Sequence, residues 1–135
     1  MTPGHRTLSF ELTNDLAEMS LLAEHLEQFC AGHGIGTEVF SQLNLALDEI
    51  VTHIITHGYG DDRREHRIRI NLGHNGTSLT ARIEDDAAAI DSLERDDPTQ
   101  GFSLVKTLVD EVTYSRERGQ NVLVIRKQIQ ADRRI

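Results

Sequence analysis

Cysteine occurs once in the 135 residues, proline twice and tryptophan not at all. A lone thiol at Cys30 excludes an internal disulfide, and nothing else in the composition points to an oxidising compartment. With two prolines and no Pro- or Ser-rich tract there is no linker to divide the chain, so one domain over 1–135 is expected. No apolar run is long enough to cross a bilayer and no signal peptide is evident, which predicts a cytoplasmic protein without a membrane partner. Basic residues are the minority, 14 Lys+Arg against 22 Asp+Glu, for a net charge of −8. A field of that sign repels phosphate backbones, so nucleic acid is not an expected partner. What remains is 38% hydrophobic and 27% charged, an ordinary balance for a domain with a real core.

Hydrophobic spacing then divides the chain. Leu8, Phe10 and Leu12 alternate with polar neighbours and predict an opening strand. Leu16, Met19, Leu22, Leu26 and Phe29 recur at helical steps, with Thr13 or Asn14 as the expected N-cap and Gly32 or Gly34 as the stop. A second helix is expected after Thr37, with Phe40, Leu43, Leu47, Ile50 and Ile54 inward and Gly58 at its end. Ile68, Ile70 and Leu72 share one face of a strand, Asn75-Gly76 predicts a hairpin turn because both residues tolerate positive φ, and Leu79, Ala81 and Ile83 line the return strand. An acidic, aperiodic stretch from Glu84 to Gln100 reads as a long functional loop. A short helix with Leu104, Val105, Leu108 and Val109 inward follows, then a hairpin that turns near Gly119. The order β-α-α-β-β-loop-α-β-β lacks βαβ alternation, so the expected class is α+β: one sheet with helices on one face.

The second helix carries the densest chemistry. Glu49, His53 and His57 stand at i, i+4 and i+8 along one face, with Asp48 beside them toward solvent. A carboxylate four residues before an imidazole suits acid–base work, and the two histidines suit a transition metal. The plainer alternative is a polar helix side on which Glu49 hydrogen-bonds a neutral histidine. Glu84-Asp85-Asp86 ends a strand where carboxylates either line a pocket or sit solvated at a loop entrance. Gly101 precedes the last helix and either brings backbone N–H groups to an anion or only eases the turn.

Leu43 to Tyr59, closing on His57-Gly58-Tyr59, resembles the N-box of the GHKL ATPase superfamily and, more narrowly, of bacterial anti-sigma-factor serine kinases of the RsbW and SpoIIAB type. The hallmark there is a Glu, three residues, an Asn, three residues and His-Gly-Tyr. Glu49 and the closing triplet match, while His53 stands at the Asn position. Ile83 to Asp91 falls where that family has its Asp-x-Gly adenine box, and Gln100 to Val112 resembles the second glycine box and the helix after it. Tyr114 to Lys127 resembles the family's last hairpin. The resemblance implies the Bergerat fold, a two-layer α/β sandwich, with ATP and Mg²⁺ between the N-box helix and the long loop. It implies Glu49 as general base and Asp85 as the acceptor for the adenine amino group. His53, His57, Ala87, Gly101 and Phe102 then belong to the nucleotide site, with His53 at the metal position. Expected partners are a sigma factor and a small anti-anti-sigma (STAS-type) protein whose serine is phosphorylated. Members commonly dimerise, so a homodimer is also an expectation.

Four positions depart from the pattern. An imidazole at His53 offers nitrogen where Mg²⁺ prefers oxygen, and would suit Zn²⁺, Mn²⁺ or a direct phosphate contact better. Ala87 and Ala89 stand where the first box has Gly or often has Gly, and Thr99 where the second commonly does. An added Cβ at a positive-φ or close-approach position costs about 1 kcal/mol or more, or blocks the ligand. The alternative to a kinase is therefore a non-catalytic module of the same fold that acts by binding a protein.

Overall fold

The computed structural model describes residues 6–89 and 102–129. In chain order they form β1 (Arg6–Thr13), a 3₁₀ turn (Leu16–Glu18), α1 (Met19–Gly32), α2 (Thr37–His57), β2 (Arg67–His74), β3 (Ser78–Asp85), α3 (Ser103–Leu108), β4 (Glu111–Glu117) and β5 (Gln120–Gln128). The strands make one antiparallel sheet in the order β1-β2-β3-β5-β4. The predicted α+β class and element order are what the chain adopts.

Strand alternation separates the two faces of the sheet. Leu12, Ile68, Ile70, Leu72, Leu79, Ala81, Ile83, Leu123 and Ile125 point inward and share one core with Leu22, Leu26, Leu43, Leu47, Ile50 and Ile54 of the helices. All the helices therefore cover one face. The opposite face carries an ion-pair ladder: Arg67 and Arg69 reach Glu11 at 3.2 and 3.6 Å, Arg69 reaches Glu84 at 3.4 Å, and Glu84 also pairs with Arg82. Exposed pairs of this kind add little stability. Their effect is to keep that face polar.

The helix starts differ from the expectation. Asp15, not Thr13 or Asn14, caps the 3₁₀ turn that precedes α1, accepting from the Ala17 N–H at 2.9 Å. Asn14 instead bridges to the loop after α2, accepting from the His66 N–H at 2.9 Å and donating to the Arg64 carbonyl at 3.3 Å. Leu16 and Leu104, both expected inward, are 49% and 43% exposed: Leu16 opens the 3₁₀ turn ahead of α1, and Leu104 lies in the first turn of a helix only six residues long. At the β2–β3 turn only Gly76 has positive φ; the Asn75 side chain accepts from the Thr77 and Ser78 N–H groups and sets the turn itself. Glu84 belongs to β3, not to the loop, and residues 90–101 of that loop lie outside the described residues. Arg118 and Gly119, at φ 56° and 79°, form the last turn, the two-residue kind that matches strand twist.

Candidate functional site

Helix α2 ends at His57, and its C-cap Gly58 donates to the Ile54 carbonyl at 2.8 Å. Gly58 also accepts from the Ala88 N–H at 2.9 Å, which joins the end of the helix to the segment leaving β3. That junction is tight. A Cβ on Gly58 would lie 2.6 Å from the Ile54 oxygen and 2.7 Å from the Ala87 Cβ. The Ala87 methyl is therefore buried against the bare Cα of Gly58, and neither Ala87 nor Ala89 has positive φ. The strain expected of alanine at these positions is absent, because the backbone runs through regions open to any residue.

Along α2, Glu49 and His57 are exposed and His53 is half-buried. The His53 ring lies 4.9 Å from His57 and meets Phe102 edge-on at 5.2 Å, with Phe102 itself buried. Phe102 thus packs against the histidine face. Burial pushes the His53 pKa down, the neighbouring His57 adds to this, and the Glu49 carboxylate opposes it. Glu49 has no hydrogen-bond or ion-pair partner among the described residues, so a Glu49–His53 hydrogen bond is not formed. Gly101 lies outside the described residues.

Asp85 ends β3 on the inner face and is 3% exposed. Its Oδ1 accepts from the Ala87 N–H and from Asn121 Nδ2, both at 2.9 Å, whereas Oδ2 accepts from no described residue. Burial raises its pKa; the Asn121 and Ala87 hydrogen bonds and the charge of Arg116 pull the other way, and Asp86 adds to the rise. Asn121 sits opposite Asp85 on β5, and Arg116 sits opposite Asn121 on β4. The spacing of apolar residues gave no sign of Asn121 or Arg116, since their partner is set by strand pairing across the sheet.

A second unforeseen group is His66. Its Nε2 lies 2.9 Å from Asp62 and its Nδ1 3.1 Å from Asp86, and its ring stacks on Tyr59 at 4.3 Å. A neutral imidazole has one N–H and satisfies one carboxylate; the imidazolium satisfies both, so the His66 pKa is raised, chiefly by Asp62. Arg64 grips Asp62 as well and, more than His66, holds its carboxyl well below the usual range. The Tyr59 hydroxyl is buried without a hydrogen bond of good geometry; burial first, then the charges of Asp85 and Asp86, raise its pKa.

Among the described residues, Asp85 thus presents a buried carboxylate with one oxygen unengaged, and Glu49 an exposed carboxylate without a partner. The site fits Mg²⁺ poorly. The α2 donors are one carboxylate and two imidazoles, and among the described residues no three Asp, Glu, His or Cys side chains converge on a metal position. No described helix is long and apolar enough to cross a membrane.

The profile of the histidine kinase-like ATPase domain matches residues 12–127. Among solved structures, the RsbU and RsbW domains of Rv1364c from Mycobacterium tuberculosis superpose with a TM-score of 0.73 at 17% identity, over 93% of this chain and 33% of that one. The histidine kinase domain of the Erythrobacter litoralis EL346 blue-light activated histidine kinase gives 0.57 at 18% identity, over 82% of this chain and 59% of that one. At such identities the likeness is one of fold, and this chain spans only part of either relative. No curated protein matches in sequence.

Proposed function

The chain belongs to the histidine kinase-like ATPase domain family, and from that premise we propose that it is a single regulatory domain of anti-sigma-factor type that binds ATP. The observation that carries this is Asp85: a buried carboxylate with one oxygen held by the protein and the other open, on the strand that the family's adenine box would occupy. The RsbU and RsbW domains of the Mycobacterium relative, together in one chain, support a protein partner for this one. In the anti-sigma scheme the partners are a sigma factor and an anti-anti-sigma protein of STAS type.

Nucleotide contacts are assigned to His53, His57, Asp85, Ala87, Gly101 and Phe102, with His53 at the position nearest any metal. ATP supplies the phosphoryl group when bound. Glu49 accepts the proton of the antagonist's serine hydroxyl as its oxygen attacks the γ-phosphorus; the bond to the β-phosphate oxygen breaks and ADP leaves. Because the α2 donors do not suit Mg²⁺, no step is assigned to that ion. His53 also favours a second function: a domain that keeps the ATPase fold but binds its protein partner without phosphoryl transfer.

Calorimetric titration with ATP, with and without Mg²⁺, tests the first proposal. A saturable ATP heat is expected, with GTP weaker, since guanine presents a carbonyl where adenine has its amino group. No heat at millimolar ATP would sink it. Saturable binding without transfer to a serine substrate would leave the binding module.

A further inference from the structure

We propose, on the basis of the nucleotide-binding function above, that Asn121 is a positioning residue for Asp85: it engages Oδ1 from across the sheet and leaves Oδ2 as the acceptor for the ligand's amino group.

Asn121 is 2% exposed and lies at the meeting point of three strands. Its Nδ2 donates to Asp85 Oδ1 at 2.9 Å, to the Ala87 carbonyl at 3.2 Å and to the Ala88 carbonyl at 3.1 Å. Its Oδ1 accepts from the Tyr114 hydroxyl at 2.6 Å and from Arg116 at 2.8 Å. Chemistry fixes this orientation of the amide. Turned over, its oxygen would face three acceptors and its NH₂ would face a guanidinium. Arg116 donates to the Ala87 carbonyl as well, at 3.0 Å, so β4 and β5 together hold the chain as it leaves β3. With the Ala87 N–H also on Oδ1, both lone pairs of that oxygen are engaged inside the protein. A carboxylate buried this deeply would otherwise rotate or take up a proton, and a protonated Asp85 would present a donor to an amino group. The groups that set its charge are Asn121, the Ala87 N–H and Arg116, which favour the anion, and Asp86, which opposes it; Tyr59 shares the same enclosure.

The test uses the whole chain and Asn121→Ser, which keeps a short donor but releases the two-sided amide, together with Asn121→Asp. Two quantities are read across pH: ATP affinity by calorimetry, and the titration midpoint of the Asp85 carboxyl by ¹³C NMR. Asn121→Ser is expected to weaken ATP about tenfold or more, the effect of losing a hydrogen bond to a charged group, and to move the Asp85 midpoint upward. In Asn121→Asp two facing carboxyls share one proton, so affinity should be poor at alkaline pH and recover as the pH falls, opposite to the wild type. Affinity lost without a change of midpoint or pH profile would reduce Asn121 to a structural support and overturn the proposal. So would wild-type affinity in both variants. Absence of ATP binding in the wild type is a separate result, seen before any variant is made, and overturns the nucleotide-binding function itself. A variant that fails to fold, judged by its denaturant midpoint, is replaced by Arg116→Gln. That change removes the charge favouring the Asp85 anion and is expected to move the same midpoint upward; an unmoved midpoint overturns the proposal.

Discussion

Gly58→Ala probes the junction on which the candidate site is built. The added Cβ would sit 2.6 Å from the Ile54 carbonyl oxygen and 2.7 Å from the Ala87 Cβ, both well inside van der Waals contact. Neither neighbour is the free end of a flexible side chain: one is helix backbone, the other a buried methyl whose backbone N–H is bonded to Asp85. Relief requires the end of α2 and the segment after β3 to separate, which also strains the bond from the Ala88 N–H to Gly58. Overpacking of this kind costs about 1–3 kcal/mol, and two contacts at once place Gly58→Ala toward the upper end. Ala87→Gly alone removes a buried methyl and adds backbone freedom, costing about 1 kcal/mol. The two changes touch the same space, so they should not add. Gly58→Ala/Ala87→Gly is expected to lose less stability than the sum, with a coupling of about 0.5–1.5 kcal/mol. The Ile54 contact remains, so the double variant stays below wild type. Urea denaturation of all four proteins, with equal m-values, measures each term. Additivity within about 0.3 kcal/mol, or a Gly58→Ala cost under about 0.5 kcal/mol, would refute the account of Ala87 as a methyl that the bare Gly58 accommodates.

Asp85→Asn can keep both hydrogen bonds to its Oδ1 while removing a buried charge, so its urea midpoint at neutral pH should equal or exceed wild type. Its ATP affinity should fall about tenfold or more, because an NH₂ replaces the open acceptor; a joint loss of stability and affinity would contradict this. His66 has a raised pKa, so its bridge stabilises fully below the ordinary histidine value and is lost as pH rises through the folded value. Wild type should therefore lose more of its urea midpoint than His66→Gln between about pH 6 and pH 8, and parallel profiles would refute the bridge. His53→Asn restores the oxygen donor expected at the metal position and should make ATP binding more dependent on Mg²⁺, read by titration with and without the ion. Leu47→Ala, at a fully buried core position, should cost about 2–5 kcal/mol by urea denaturation; a cost below about 1 kcal/mol would contradict the packing.

Local spacing was enough to read the elements, because each strand and helix buries a stripe that its own period exposes. Ile68, Ile70 and Leu72 lie on one strand face as period two requires, and Leu43, Leu47, Ile50 and Ile54 lie on one helix face as period 3.6 requires. Errors fell where a side chain serves a distant segment. Asn14 looks like an N-cap by position, yet its amide is used by the loop between α2 and β2, and Asp15 takes the cap. Leu104 fits the apolar period of α3, but a helix of six residues cannot turn every such position inward.

The candidate site divides along the same line. Glu49, His53 and His57 share a helix face and were legible from spacing alone, whereas the environment of Asp85 was not. Whether a carboxylate at a strand end is solvated or buried depends on what stands opposite. Here that is Asn121, 36 residues later in the chain and brought alongside only by the β3–β5 register. The same register decides what Ala87 means. Read as a replaced glycine, it predicts strain or a blocked ligand. Placed against Gly58, with φ in an ordinary region, it is a methyl that fits, and its N–H helps hold Asp85. The departure at Ala87 therefore weighs little against nucleotide binding. The departure at His53 keeps its full weight, because an imidazole replaces an oxygen donor there and, among the described residues, no group of three Asp, Glu, His or Cys side chains makes up a metal position. A domain altered in this way should lose metal-assisted transfer before it loses the adenine, so ATP affinity and phosphotransfer must be measured separately.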